Sequence, residues 1–144
     1  VLPLILSPVS PWITLIGFFG MQYTLGMATA VIFQLAHIMP ENDYPLPDEN
    51  GKMDNNWAVH QMVTTTNFAP KNRILSWYVG GLNFQVEHHL FPNICHVHYR
   101  HISKIVKETA QEFNVPYNSI DRFREAIAEH ARMLRMLGNA PAAT

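Results

Sequence analysis

The first forty residues of the chain are apolar or uncharged polar residues, with no Asp, Glu, Lys or Arg among them. From Trp12 to Met39 this run contains no proline, and its 28 residues would form a helix of roughly 42 Å at about 1.5 Å per residue. A helix of that length exceeds the hydrocarbon core of a bilayer, about 30 Å thick, where an unpaired charge is costly. The pattern therefore predicts a membrane-spanning helix. The alternative is a buried hairpin in a soluble all-α protein.

The residues before this helix are also apolar, but three prolines interrupt them. We interpret Val1–Ser10 as the end of one membrane helix followed by a proline-rich turn. Residues 1–40 are thus predicted to form a transmembrane hairpin. The run is too long, and too poor in basic residues, for a secretory signal peptide. Because it begins abruptly inside an apolar stretch, we expect the chain to be the C-terminal piece of a longer protein.

After Pro40 the pattern changes to that of a solvated helical cap, predicted over residues 41–144. Glu41–Asp54 is rich in acidic residues and contains prolines and a glycine, which predicts an exposed loop. A short helix is expected over Asn56–Phe68, although three consecutive threonines disfavour it.

Two amphipathic helices are predicted near the C-terminus, because apolar residues recur there at helical spacing. The first covers Ile102–Phe113 and stops at Asn114. The second is expected to begin at Asn118 or Ser119, which are common N-cap residues, and to end at Gly138. The sequence therefore predicts an all-α fold in which a membrane helical hairpin is followed by a soluble helical cap.

Composition narrows the possible chemistry. Hydrophobic residues make up 48% of the chain and charged residues 15%, with a formal net charge of −1 and a pI near 6.8. This balance argues against a nucleic-acid partner, which would require a basic surface. Cys95 is the only cysteine, so an intrachain disulfide and a cysteine-based zinc or iron–sulfur site are excluded.

The histidines carry the clearest chemical signal. The chain has 8 of them, and five fall within the fourteen residues from His88 to His101. On a helix that turns about 100° per residue, Gln85, His88 and His89 project into one sector about 100° wide, and Glu87 points away from it. Imidazole is the commonest metal ligand, so this sector predicts a metal site. The alternative is a pair of hydrogen-bonded surface histidines.

The other histidines are less distinctive. His37 ends the long uncharged helix, where an ionisable residue marks a candidate functional site or a side chain that reaches the interface. Three more are interpreted as rim or hydrogen-bonding residues: His96, His98 and His101. Two stand alone on helix faces and are expected to be dispensable: His60 and His130. These patterns predict a histidine-ligated metal site at a membrane, without selecting the metal or the reaction.

The segment GGLNFQVEHHLFPNICHVHY, from Gly80 to Tyr99, resembles the third histidine box of the integral-membrane fatty acid desaturases. Its Q-x-x-H-H form is similar to that of the front-end branch, which acts on acyl-lipids or acyl-CoA. The I-x-x-I-V-K segment at Ile102–Lys107 agrees with the same family. So does a W-x-x-x-Q-x-x-x-T-x-N pattern at Trp57, Gln61, Thr65 and Asn67. The resemblance covers roughly residues 31–137.

This resemblance implies a membrane-bound enzyme with two non-haem iron ions. Such an enzyme uses O₂, and electrons from cytochrome b5 or a ferredoxin, to introduce a double bond into a fatty acyl chain. Carried onto this sequence, His88, His89 and His37 would be iron ligands and therefore catalytic residues, and Gln85 would be a weak ligand or a neighbour of the ligands. The resemblance also implies an integral membrane protein with the histidine site and cap on the cytoplasmic side.

The sequence departs from the family pattern in one respect. The two earlier histidine boxes, of H-x-x-x-H and H-x-x-H-H type, do not occur in it. We therefore expect the isolated chain to be inactive. Two alternatives stay open: a sphingolipid desaturase, hydroxylase or acetylenase of the same superfamily, and a non-catalytic membrane module whose histidines bind structural metal, haem or nothing.

Overall fold

The computed structural model describes residues 2–139. Val1 of the predicted hairpin and residues 140–144 of the predicted cap lie outside the described part. Within it the elements are, in order, α1 (Leu2–Leu6), α2 (Pro11–His37), α3 (Trp57–Val63), β1 (Thr66–Phe68), α4 (Arg73–Tyr78), α5 (Gln85–Leu90), a 3₁₀ turn (His96–His98), α6 (Tyr99–Glu112), β2 (Asn118–Ile120) and α7 (Phe123–Asn139). The prediction of an all-α fold is confirmed, with the addition of one small sheet.

The chain divides into two compact units, and the first ends at Val31. It contains α1 and most of α2. The predicted long helix is present as Pro11–His37. Among the described residues it is the one helix long and apolar enough to cross a membrane, with a mean hydropathy of 1.5. Most of its large apolar side chains are exposed along the part that lies in this unit. Such a surface is unfavourable in water and favourable in lipid.

The C-terminal end of α2 belongs to the second unit, which begins at Ile32. The helix ends two residues before the predicted Met39 because the Tyr44 hydroxyl competes for its backbone. That hydroxyl accepts a hydrogen bond from the Met39 N–H at 3.1 Å, and the His37 and Met39 carbonyl oxygens, each at 3.0 Å, share its proton. The helix end that carries His37 is therefore held by a side chain of the following loop.

A small apolar core in the second unit holds α5 against its neighbours. Val86 of α5 is fully buried and packs with Met62 of α3 and with Val106 and Ala110 of α6. The prediction of an amphipathic helix over Ile102–Phe113 is confirmed by α6, whose buried Val106 and Ala110 belong to this core. Because α5 has only six residues, it depends on these contacts for its stability.

The helix predicted over Asn56–Phe68 is too long, because α3 ends at Val63 and a strand follows. The strand β1 pairs in parallel with β2, in a register that places Asn67 opposite Ser119. β-Branched threonines suit an extended backbone better than a helix, which explains the change at this point.

The predicted start and end of the last helix are both wrong. Asn118 and Ser119 do not cap a helix but pair with β1, and α7 begins at Phe123. Gly138 lies inside α7, which is described as far as Asn139. The tertiary pairing of β2 therefore overrides the local capping signal that these residues carry.

Candidate metal centre

Three histidine rings from two elements meet in the second unit. His37 is the last residue of α2, and His88 and His89 are adjacent on α5. The ring centres of His37 and His89 are 4.9 Å apart, and those of His88 and His89 are 5.9 Å apart. All three side chains are half-buried. The fold thus brings together histidines that are about fifty residues apart in the sequence.

The orientation of α5 follows from the packing described above. Val86 faces the apolar core, and Gln85 and Glu87 are also buried, so the next two side chains are left to face a cavity. This cavity has a volume of about 290 Å³. It is lined by Trp57, Gln61, His88, His89 and Pro92. Two imidazoles therefore border a space that can admit a ligand.

The protonation state of His89 is set by its neighbour on α3. Its Nδ1 lies 2.6 Å from the Gln61 Oε1, and because an amide oxygen only accepts, Nδ1 carries the proton. The other ring nitrogen, Nε2, then keeps its lone pair. Burial, together with the neighbouring charges of His37 and His88, lowers the pKa of His89 to about 4. The ring is therefore neutral at pH 7, as a metal ligand must be.

His88 has a different partner. Its Nδ1 lies 3.2 Å from the hydroxyl oxygen of Tyr99, the first residue of α6. Tyr99 is buried, and burial raises the pKa of its hydroxyl, which stays protonated. The hydroxyl can donate or accept, so this contact orients the His88 ring without selecting its tautomer. Both α5 histidines are thus held through Nδ1 by groups outside their own helix.

The chemistry of these imidazole donors fits iron, but the cluster has too few donors to form a complete metal site by itself. His89, a neutral imidazole with an uncommitted Nε2, is a suitable ligand for iron, and hydrogen bonds at Nδ1, which both α5 histidines make, are the usual way in which proteins orient such ligands. Within residues 2–139, however, no group of three or more His, Cys, Asp or Glu side chains is arranged to hold a metal ion. Further ligands would have to complete the centre.

Gln85 is placed differently from the two histidines that share its predicted sector. It is 1% exposed and is not part of the cavity lining. Its Nε2 is buried and has no hydrogen-bond partner among the residues that the structure describes. A role for Gln85 as a weak ligand therefore stays a prediction.

The remaining histidines lie outside the cluster. His96, His98 and His101 are exposed. His96 contacts a tight turn, because a Cβ placed on Gly81 would come within 2.8 Å of the His96 Cβ. His60 is half-buried on α3, and its Nδ1 has no hydrogen-bond partner in the described part of the chain.

His130 has partners that the sequence did not reveal. It is 9% exposed, with Nδ1 2.9 Å from the Ile38 carbonyl oxygen and Nε2 3.0 Å from the Gln34 Oε1. The ring therefore joins α7 to the end of α2. This position agrees with the interpretation of His130 as a residue outside the metal site. Its dispensability for activity stays a prediction, although removing a buried, hydrogen-bonded side chain is costly for stability.

Behind the histidine pair lies a buried polar network that the sequence also did not predict. Glu87 is fully buried, and its two carboxylate oxygens accept hydrogen bonds from the Tyr117 hydroxyl at 2.7 Å and the Asn67 Nδ2 at 2.8 Å. Burial raises the pKa of Glu87, and these two hydrogen bonds oppose that effect. Burial together with Glu87 also raises the pKa of Tyr117.

The Gln61 contact leads to a direct prediction. The variant Gln61→Leu removes the acceptor of the His89 Nδ1–H, and we expect Co²⁺ affinity to fall by about 10- to 100-fold. The measurement is a Co²⁺ titration, followed by visible absorption, of the complete protein that contains this chain, purified in detergent, because further ligands are needed to complete the centre. Gln111→Leu, at an exposed position on α6, is the matched control and should bind as the parent chain does. Equal affinities for the two variants would contradict the role given to Gln61.

The fold and the cluster together define a mainly helical protein with imidazoles gathered at the end of a long apolar helix. The sequence model of the family described as fatty acid desaturase matches residues 1–121. The chain therefore belongs to the fatty acid desaturase family. No solved structure matches it.

Curated relatives agree with this assignment. The chain is 45% identical, over 88% of its length and 35% of the relative, to an sn-1 linoleoyl-lipid 6-desaturase of Synechocystis sp.. It is 43% identical, over 81% of its length and 24% of the relative, to an acyl-lipid (8-3)-desaturase of Physcomitrium patens. An acyl-lipid (8-3)-desaturase of Mortierella alpina is also 43% identical, over 78% of the chain and 25% of the relative. The chain spans about a third or less of these relatives.

Proposed function

We propose that the chain is the C-terminal part of an O₂-dependent fatty acyl desaturase that introduces a double bond into an acyl chain. The observation that carries this proposal is the meeting of His37, His88 and His89 beside an apolar groove, in a chain of the fatty acid desaturase family. The substrate would be an acyl chain linked to a membrane lipid or to CoA.

In this proposal His37, His88 and His89 would hold iron through their ring nitrogens, and Gln85 would be a weak ligand or a neighbour of the ligands. Bound iron would supply O₂ activation, in which two hydrogens from adjacent methylenes, two electrons and two protons reduce O₂ to two waters. Gln61 would keep the His89 Nε2 available by accepting from Nδ1–H. Tyr99 would orient the second imidazole through its hydroxyl.

An apolar groove supports an acyl substrate. Its volume is about 640 Å³, and Trp57 lines both this groove and the histidine cavity. The other large apolar side chains of its wall come from α3, α5, α6 and the segments that follow α5 and α6: Val59, Met62, Leu90, Phe91, Ile94, Ile102, Ile105, Val106, Phe113 and Val115. A methylene chain would remain out of water along such a surface, while one segment of it lies near the imidazoles. The names of the relatives, which describe lipid-linked acyl substrates, point the same way.

The location and the electron donor form part of the same proposal. The apolar helix Pro11–His37 would span the membrane, with the histidine site and the cap on the cytoplasmic side. Cytochrome b5 or a ferredoxin would deliver electrons. From Lys71 onward the chain carries nine Lys or Arg against six Asp or Glu, a modest positive excess that favours contact with an acidic carrier.

The test uses the complete reading frame that contains this chain, because the chain spans only a fraction of its relatives. We expect a host that expresses this frame to contain new unsaturated fatty acids, detected by gas chromatography and mass spectrometry, which are absent with the empty vector. New sphingoid or hydroxylated products instead would favour the other enzymes of the superfamily. An unchanged lipid profile, with the protein present in the membrane, would favour the non-catalytic module.

A further inference from the structure

We propose that Glu87 is a positioning residue: its buried carboxyl, held by Tyr117 and Asn67, fixes the rotation of α5 and thereby aims His88 and His89. As an inference about iron ligation it rests on the function proposed above. It is based on three hydrogen bonds behind the histidine pair and on the shortness of the helix that carries them.

The network closes on itself. The Tyr117 hydroxyl donates to one carboxylate oxygen of Glu87, and the Asn67 Nδ2 donates both to the other carboxylate oxygen and to the Tyr117 oxygen, the latter at 2.8 Å. Each of the three side chains therefore contacts both others. Glu87 and Asn67 are almost completely buried, so no water competes for these bonds.

Asn67 also holds the backbone of α5. Its Oδ1 accepts a hydrogen bond from the Val86 N–H at 2.9 Å, one of the first-turn groups that a helix leaves unpaired. The N-cap residue Phe84 makes no side-chain capping bond, so this contact from β1 takes the place of a local cap. The strand thus fixes both the start of α5 and the side chain of its third residue.

Because α5 is a helix, fixing the Glu87 side chain also fixes the directions in which His88 and His89 project. Successive side chains are about 100° apart, so Glu87 projects roughly opposite the direction midway between His88 and His89. A helix of six residues has little intrinsic stability and adopts the rotation that its contacts impose. Fixing Glu87 on the buried face therefore sets the direction of both rings on the cavity face.

A purely stabilising role is a weaker explanation for this residue. A fully buried carboxyl group loses its hydration, and a well-packed apolar side chain in the same place would stabilise as well or better. The carboxyl group instead fixes the orientation of α5, since its two oxygens accept hydrogen bonds from donors in two separate segments. Directional contacts of this kind specify one arrangement of the helix.

The experiment compares Glu87→Gln and Tyr117→Phe in the complete protein that contains this chain, purified in detergent, with the folded fraction measured by circular dichroism. Both substitutions nearly preserve side-chain shape. We expect Co²⁺ affinity per folded chain to fall by about 10- to 100-fold, with a changed visible spectrum. The exposed controls Glu108→Gln and Tyr78→Phe should match the parent chain.

A rescue variant tests the direction of the bonds. In Glu87→Gln, an amide that keeps its oxygen toward the Tyr117 hydroxyl turns its NH₂ group toward the Asn67 Nδ2, so two donors oppose each other. Adding Asn67→Asp supplies an acceptor at that position and keeps one carboxylate in the network. We expect this double variant to recover most of the lost Co²⁺ affinity. A double variant no better than Glu87→Gln would overturn the proposal.

A readout without metal separates this inference from the proposed function. Diethyl pyrocarbonate modifies accessible imidazoles, and mass spectrometry can follow each histidine. The rates for His88 and His89 should change several-fold in the Glu87 and Tyr117 variants, while those for the exposed His98 and His101 stay constant. Should the parent chain bind no Co²⁺, the metal site fails and these rates still test positioning. Unchanged rates at His88 and His89 in folded variants would overturn the inference.

Discussion

Replacing His89 by alanine is expected to deplete the complete enzyme of iron and to abolish double-bond formation. His89 has its Nδ1 committed to Gln61, its ring next to that of His37, and a pKa low enough to keep it neutral at pH 7. Under the proposed function its loss removes an iron ligand outright, so the effect should exceed the 10- to 100-fold or so that is typical of losing a residue that only orients a ligand. Iron by elemental mass spectrometry and products by gas chromatography would be measured together.

His88→Ala should have the same effect, because the two rings border the same cavity. His101→Ala is the matched control: it lies exposed on α6, and we expect iron content and products within error of the parent enzyme. His130 would be an unsuitable control, since its ring contacts the Ile38 carbonyl oxygen and the Gln34 side chain at hydrogen-bond distance. Full iron content and activity in His89→Ala, with loss of both in His101→Ala, would contradict the assignment of the site.

The parts of the fold that the sequence predicts well are those in which one pattern extends over many residues. The long helix up to His37 and the amphipathic helix α6 were found because a membrane-length apolar run and a helical spacing repeat over several turns. The two strands were missed because each has three residues, and their pairing joins Thr66 to Asn118 across more than fifty positions. No local pattern reports a contact of that kind, and the capping tendency of Asn118 pointed to a helix.

The candidate site divides in the same way. His88 and His89 are adjacent in the sequence, so helix geometry alone placed them together. The groups that hold them come from distant segments: Gln61 is 28 residues from its partner, and Tyr117 is 30 residues from Glu87. In the sequence alone, Glu87 is indistinguishable from a solvated glutamate, because its hydrogen-bond donors Asn67 and Tyr117 come from distant segments. Sequence reasoning therefore identifies the candidate ligands and, within the family pattern, Gln61 and Asn67, but not the contacts through which these side chains orient the imidazoles.

Phe68→Ala is expected to cause the largest loss of stability among single substitutions in the second unit. The side chain is fully buried, and its ring lies 6.2 Å from that of Phe123, which links β1 to α7. Truncating a buried phenylalanine typically costs about 3–5 kcal/mol, through lost burial and the cavity that remains. For a folded region of this size the thermal midpoint should fall by more than about 10 °C, as followed by circular dichroism in detergent.

Phe113→Ala provides the matched control, since the same side chain is 69% exposed there and its removal should change stability by no more than about 0.5 kcal/mol. Phe68 is the neighbour of Asn67 in β1, so loosening this strand should also weaken the hydrogen bonds that hold Val86 and Glu87. At temperatures well below its unfolding midpoint, the Phe68→Ala variant should therefore bind Co²⁺ less tightly. The strand β1, which holds α5 through Asn67, is then no longer fixed by the buried Phe68 ring. Equal thermal midpoints for the two phenylalanine variants would show that the core of the second unit does not depend on Phe68.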